Sequence, residues 1–382
     1  MPIPDVVVIG AGPVGVATAI HLARRGRSVT LIDRLAAPRR KACGEGVFAS
    51  GVRELATLGI EMANVAGGHL SAVRFHAGKH SVEAPLPGAG AYGVHRELLG
   101  SALVAQARAA GVNVVLGVSA FGLQIANGRV AAIRTSAGLL EGCAFVAGDG
   151  LQSRIRRLAS LDNSGSSERY GVSAHVTLPC EAARTIDVYF QHKREIYITP
   201  LEGRSVNVAI LLRRREMREI GGDLSGWFER ELASIAGIDG FELQDEPLAA
   251  GPFARASSRN WRANLVLAGD AAGFLDGISG DGISAGLLGA RACAAAIDDY
   301  LTTGSYEVFR AYDRDRRAIV RNSNILAHVS LLLGRNERVA NIAVGNLARQ
   351  PRTFAKLVAI NSRAAGFSSL RPRDFLALAF GV

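Results

Sequence analysis

Residues 5–9, Asp-Val-Val-Val-Ile, form an unbroken apolar run, which predicts a parallel strand buried on both faces. Gly10-Ala-Gly12-Pro13-Val-Gly15 follows, then a helical stretch with Ala19 and Leu22 on one face, closed by Gly26. Residues 28–32 predict a second strand ending at Asp33, and residues 111–123 one more strand of the same sheet. A period of two appears at Leu70, Ala72, Val73, Phe75 and Val82, and again across 170–210 at Val172, Ala174, Val176, Ile186, Val188, Phe190, Ile196, Ile198, Val206, Val208 and Ile210. Both stretches predict an antiparallel sheet. Beyond residue 301 the apolar spacing turns helical, over 306–333, 339–347 and 354–360, with Pro351 as an interruption.

The first segment carries chemistry. Gly10 permits a tight turn, Gly12 lets backbone approach a pyrophosphate, and Gly15 lets helix and strand pack closely. Pro13 joins these glycines as an expected cofactor contact, and the helix N-terminus presents free N–H groups to phosphates. Asp33 can accept hydrogen bonds from ribose hydroxyls. Strand, glycines, helix, strand and acid together predict a dinucleotide-binding fold. That motif does not distinguish NAD from FAD.

Two later motifs bear on the cofactor. Residues 144–157 contain Asp149-Gly150, with Ser153 and Arg156 after them. Residues 264–289 contain Gly269-Asp270 and then a glycine-rich loop, Gly277 to Gly282, that opens a helix of small residues. In this order the motifs resemble those of the FAD-dependent p-hydroxybenzoate hydroxylase superfamily, in its group A flavoprotein monooxygenase and geranylgeranyl reductase-like branches. The resemblance implies an α/β fold. A Rossmann-type (GR2-like) FAD-binding domain would span 1–66, 92–165 and 250–300. An inserted antiparallel β-sheet substrate domain would span 67–91 and 166–249, and a helical C-terminal region 301–382. It implies that Asp270 accepts from the ribityl hydroxyls and that amides around Gly280, Gly282 and Ile283 face the isoalloxazine. Arg96, in a segment similar to the family's R-x-x-L-x-x-x-L helix, would touch the cofactor, and Val118 would make an adenine-side backbone contact.

The loop after Asp33 carries features of both branches. It begins at Arg34 and runs through Arg39-Arg40-Lys41-Ala42-Cys43-Gly44-Glu45-Gly46. The hydroxylase branch places an arginine in this loop, which makes Arg34 and Arg40 expected cofactor contacts. The reductase branch places a Cys-Gly pair there, matched by Cys43-Gly44. Tyr197-Ile-Thr-Pro200 and Val206-Asn-Val-Ala-Ile also resemble the reductase branch, although no aromatic-Phe-Pro follows Tyr197 and Gly44 is followed by Glu45. The catalytic groups stay unassigned, with Cys43, Glu45, Tyr197 and Asp276 as candidates. A half-buried packing role competes for Tyr197, and a solvent-facing loop carboxylate for Glu45. No pairing of a histidine with a carboxylate stands out.

The expected function is an FAD-dependent oxidoreductase; only one complete dinucleotide fingerprint is visible, and the resemblance implies NAD(P)H as a transient hydride donor. Hydroxylation of a hydrophobic or aromatic small molecule comes first among the readings. Saturation of alkenes in a lipid or isoprenoid is the alternative, and a membrane-docked, non-catalytic flavin redox sensor is a third. The halogenase pattern WxWxIP is missing: Trp227 and Trp261 stand far apart.

Composition narrows the setting. The chain has 382 residues, 48% hydrophobic and 20% charged, as a globular protein does. Its four cysteines form no CxxC pair, which suggests neither a zinc site nor a disulfide framework. No signal-peptide pattern or membrane span is expected, so a cytoplasmic location is. Of the net charge of +10, residues 301–382 carry most, with 13 Lys/Arg against 5 Asp/Glu. This surplus suggests a solvated basic face, or peripheral contact with an anionic membrane. Nucleic acid is not an expected partner, because no aromatic–basic interleaving or reader motif appears. Oligomeric state is not legible.

Overall fold

The computed structural model describes residues 2–375 apart from 66, 166–167, 192–193, 236–237, 239 and 335. A six-stranded sheet has the order Trp261–Arg262, Leu265–Leu267, Ala144–Ala147, Val6–Ile9, Val29–Asp33, Asn113–Leu116. Its ladders are parallel except at the Trp261–Arg262 edge. Successive side chains of a strand point to opposite faces, and both faces here are apolar and covered. Val6 and Val8 pack among the helices Pro13–Ala23, Arg96–Ala109 and Gly282–Thr303. Val7 and Ile9 pack on a three-stranded antiparallel sheet, through Val130 and Ile133.

A larger sheet of eight strands is antiparallel except for one pair. That pair, Ala72–Ala77 beside Thr185–Gln191, joins two segments distant in sequence. Val172, Ala174, Val176, Val206 and Val208 bury against the helix Leu224–Ala233. The alternate residues of the same strands turn to the opposite face, toward the cavity described below.

The C-terminal helices close the structure. Phe309 and Tyr312, in the helix Glu307–Leu333, enter the core of the first sheet. The helices Glu337–Arg349 and Pro351–Asn361 pack on Val82 and Ala84 of the larger sheet through Ala340, Val344, Phe354 and Val358. Among the described residues no helix is long and apolar enough to cross a membrane.

Three sequence expectations change. Residues 111–123 are two strands, not one: Asn113–Leu116 ends at Gly117, whose φ of +80° redirects the chain into Ala120–Ala126 of the three-stranded sheet. Gly67–Leu70 does not join the larger sheet but pairs with Ala91–Val94. Pro351 does more than interrupt, because it occupies the first turn of its own helix, where its missing N–H costs nothing.

Candidate functional site

A cavity of about 1910 Å³ runs between the two sheets. Ordinary ligand pockets hold roughly 300–1,000 Å³, so this one has room for a dinucleotide and a second large molecule. One end is built from the glycine turns and a cluster of cations, Arg34, Arg39, Arg40, Lys41 and Arg96. The other end is lined by Val73, Phe75, Leu86, Ile186, Val188, Leu347, Phe354 and Leu357.

The three predicted motifs converge at the polar end. A Cβ on Gly10 would stand 2.4 Å from the Gly148 carbonyl oxygen, and one on Gly15 1.9 Å from the Gly10 carbonyl oxygen. Nothing lies within 4 Å of a Cβ built on Gly12, which borders the cavity with Pro13. The turn is therefore closed on its inner side and open toward a ligand. Asp33 accepts from the amides of Ala11 (2.7 Å) and Leu35 (2.8 Å), which fixes its carboxylate on the cavity wall. Val118 lines the cavity too, but its N–H is taken by the Asp33 carbonyl at 2.8 Å, so only its carbonyl is free for a ligand.

Asp149 accepts from the Ser153 hydroxyl (2.6 Å) and the Ile155 amide (3.1 Å), and Gly150 turns beside it at φ +83°. Arg156, 1% exposed, bonds Asp162 at 2.7 Å and the Ala271 carbonyl at 3.0 Å. The second motif is thus locked against the third. Gly269 delivers Asp270 to the cavity wall, and no described residue hydrogen-bonds the Asp270 side chain. Burial pushes its carboxyl pKa up, while Arg96, Arg316 and Lys41 pull the other way. The Nε of Arg96 is likewise buried without a partner. Gly280 spends its N–H on Gly277 and borders the cavity with Gly282 and Ile283. The last two begin a helix whose first-turn N–H groups have no intrahelical acceptor. An open glycine turn, an unsatisfied carboxylate and an unsatisfied guanidinium fit FAD, whose pyrophosphate and polyol would complete these groups.

The loop at Cys43–Gly46 is clamped on the larger sheet. The Cys43 N–H donates to Ser173 Oγ (3.1 Å), and Asn207 Nδ2 donates to the Cys43 carbonyl (2.9 Å). The Glu45 amide and Arg96 Nη1 both approach Cys43 Sγ at 3.4 Å. Gly44 lines the cavity beside them. Lys41, not singled out from sequence as a contact, also lines it, and burial, then Arg96, lower its pKa.

Several candidates sit differently from expectation. Glu45 is not a solvent-facing carboxylate but 2% exposed, at a φ of +56°. Its Oε1 accepts from the Arg96 amide (2.9 Å) and its Oε2 meets His175 Nε2 at 2.7 Å. His175 Nδ1 in turn meets Asp245 at 2.7 Å, so a histidine held between two carboxylates exists although the sequence showed none. The available signal was the strand period: His175 and Ser173 are the polar alternates of Val172, Ala174 and Val176. Arg40 lines the cavity and also meets Asp245 (2.7 Å) and the Glu246 carbonyl (3.0 Å). Asp276 lies off the cavity wall, paired with Arg169 at 3.1 Å and capping Ile278, because the buried Arg169 needs it beside Glu195. Tyr197 lines the cavity with its ring, while its hydroxyl donates to the Ile278 carbonyl at 2.7 Å. Burial drives that hydroxyl's pKa far upward.

Residues 4–324 match the family model described as FAD binding domain. A menaquinone reductase of Mycolicibacterium smegmatis is 28% identical over 323 residues, covering 76% of this chain and 75% of that protein. A digeranylgeranylglycerophospholipid reductase of Methanoculleus marisnigri is 25% identical over 381 residues, covering 94% and 91%. The structure of a geranylgeranyl bacteriochlorophyll reductase-like protein from Thermoplasma acidophilum superposes with a TM-score of 0.75 at 20% identity, over 100% of this chain and 97% of that one, which shows the shared fold. Motif order, cavity architecture and family model agree: this chain belongs to the FAD binding domain family and is an FAD-dependent oxidoreductase.

Proposed function

We propose that the protein is a reductase that saturates carbon–carbon double bonds in the prenyl chain of a lipid or quinone, with NAD(P)H as the source of electrons. The carrying observation is the apolar chamber continuous with the glycine fingers. Phe75, Ile186, Val188, Phe354 and Leu357 offer a greasy, branched wall and no charge, as a long isoprenoid requires. Cys43-Gly44 and the names of the matched reductases support the same reading.

When bound, FAD supplies the two-electron transfer. The chain's own residues do the rest. Gly12, Asp33, Lys41, Arg96 and Asp270 hold the cofactor. Tyr197 braces the Ile278 loop. The chamber excludes water from the reacting double bond. The opening carries exposed Ile325, Val329 and Ile342 close to a basic C-terminal region. These favour a prenyl substrate taken from an anionic membrane, with the protein bound peripherally. Hydroxylation of an apolar molecule is the second reading, since the same closed chamber would protect an oxygen reaction from water.

One experiment separates the two. Protein loaded with FAD and NADPH is incubated anaerobically with a polyprenyl quinone or a geranylgeranylated lipid, and the product is weighed. A gain of two hydrogens per turnover supports saturation. No anaerobic product, and a gain of one oxygen atom in air, sinks it in favour of hydroxylation.

A further inference from the structure

Saturating a double bond needs a hydride equivalent at one carbon and a proton at the other. The first comes from the reduced cofactor. The second must come through the protein, because the chamber is apolar. Resting on the reductase reading, we propose that His175 is a proton-relay residue, passing protons from a solvent-facing Asp245 to Glu45 on the cavity wall.

The geometry is a continuous chain. Asp245 is partly open, and Arg40 holds it at 2.7 Å. It meets His175 Nδ1 at 2.7 Å, and its other oxygen accepts the His175 amide at 2.9 Å. His175 Nε2 meets Glu45 Oε2 at 2.7 Å, and Glu45 lines the cavity next to Cys43. Both ring nitrogens face carboxylate oxygens, so the imidazolium satisfies both bonds at once. His95 stacks edge-on at 4.6 Å and, together with Arg96 beyond Glu45, completes the groups around the ring. Burial pulls the His175 pKa down, and Glu45 and Asp245 outweigh it, so the net shift is upward. Burial and then the His175 charge lower that of His95. Glu45 sits in the left-handed region between Gly44 and Gly46. That conformation is unfavourable for a residue with a side chain, and surrounding bonds must hold it.

The steps balance. The His175 imidazolium gives its Nε2 proton to the Glu45 carboxylate, which passes a proton to the second carbon of the alkene. The neutral ring, still protonated at Nδ1, turns over so that this proton faces Glu45, and the nitrogen now facing Asp245 takes a proton that Asp245 has drawn from water, which restores the imidazolium. Nothing is oxidised or reduced in the relay itself.

Two measurements test it. The first is nuclear magnetic resonance titration of the His175 ring in the FAD-loaded protein. Glu45→Gln and Asp245→Asn should each lower its midpoint, and titrations unchanged in both variants overturn the relay. Stoichiometric zinc bound by Glu45, His95 and His175 would also overturn it, by assigning the trio to a metal. The second is anaerobic reoxidation of the reduced enzyme by a prenyl substrate. His175→Gln and Asp245→Asn should slow it, the former roughly 100-fold, and change its solvent deuterium effect, with FAD content reporting that the loop stays folded. Rates and isotope effects equal to wild type overturn the proposal. Wild-type protein that leaves the alkene untouched defeats the reductase reading instead, and the titration then decides the relay.

Discussion

Arg363 reaches back from the end of the last long helix and grips both carboxylate oxygens of Asp281, at 2.6 and 2.5 Å. Asp281 immediately precedes the helix Gly282–Thr303 that follows the glycine-rich loop on the cavity wall. Ser323 donates to the same carboxylate at 2.5 Å. Burial pushes the Asp281 pKa up, and Arg363 opposes this. One buried ion pair thus ties the C-terminal helices to the loop expected to face the flavin. Removing one partner of such a pair leaves an uncompensated charge, at a cost of about 3–5 kcal/mol. Arg363→Met should therefore lower the urea midpoint strongly and weaken FAD retention with it. A variant as stable as wild type would show that the pair contributes nothing.

Asp270 has a different task, because no described residue hydrogen-bonds its side chain. Asp270→Asn should leave stability nearly unchanged. It should weaken FAD by about 1.5–3 kcal/mol, the value of hydrogen bonds to a charged group, or roughly 10- to 100-fold in Kd. Fluorescence titration of apoprotein with FAD measures this. Equal affinity in the two proteins would remove Asp270 from the cofactor site.

The fingerprint glycines should separate into two classes. Gly12→Val places its side chain in open space, so the protein should fold with a Tm near wild type and bind FAD at least about tenfold more weakly. Gly15→Val drives its Cβ into the Gly10 carbonyl and should fall in the exceptional class above about 4 kcal/mol. Circular dichroism melts and flavin absorbance of both variants check the contrast.

His21 makes stability depend on pH. Burial, then the charges of Arg24, Arg291 and Arg25, lower its pKa from 6.5 to about 4. The unfolded chain then binds the proton more readily than the folded one. Its contribution is present in full above about pH 6.5 and is lost as pH falls toward 4. Denaturant midpoints at pH 7 and pH 5 should differ more in wild type than in His21→Leu. Identical differences would assign the loss to other groups.

Local patterns determined much of this protein before any packing was considered. The apolar run at 6–9 read as a strand buried on both faces. The glycines at 10, 12 and 15 prescribed a turn open to a phosphate, and Asp33 and Asp270 fell at strand ends facing it. Those features are encoded within a few residues, because backbone conformation and side-chain alternation are local properties. Tertiary structure alone decided the rest. Glu45 and His175 are 130 positions apart, and His175 and Asp245 are 70 apart. No local pattern reports which two faces will meet. Asp276 looked free in its loop until Arg169 from a distant strand claimed it. The fate of a charged side chain depends on what the folded chain buries beside it, and that is a sum over contacts no single stretch contains.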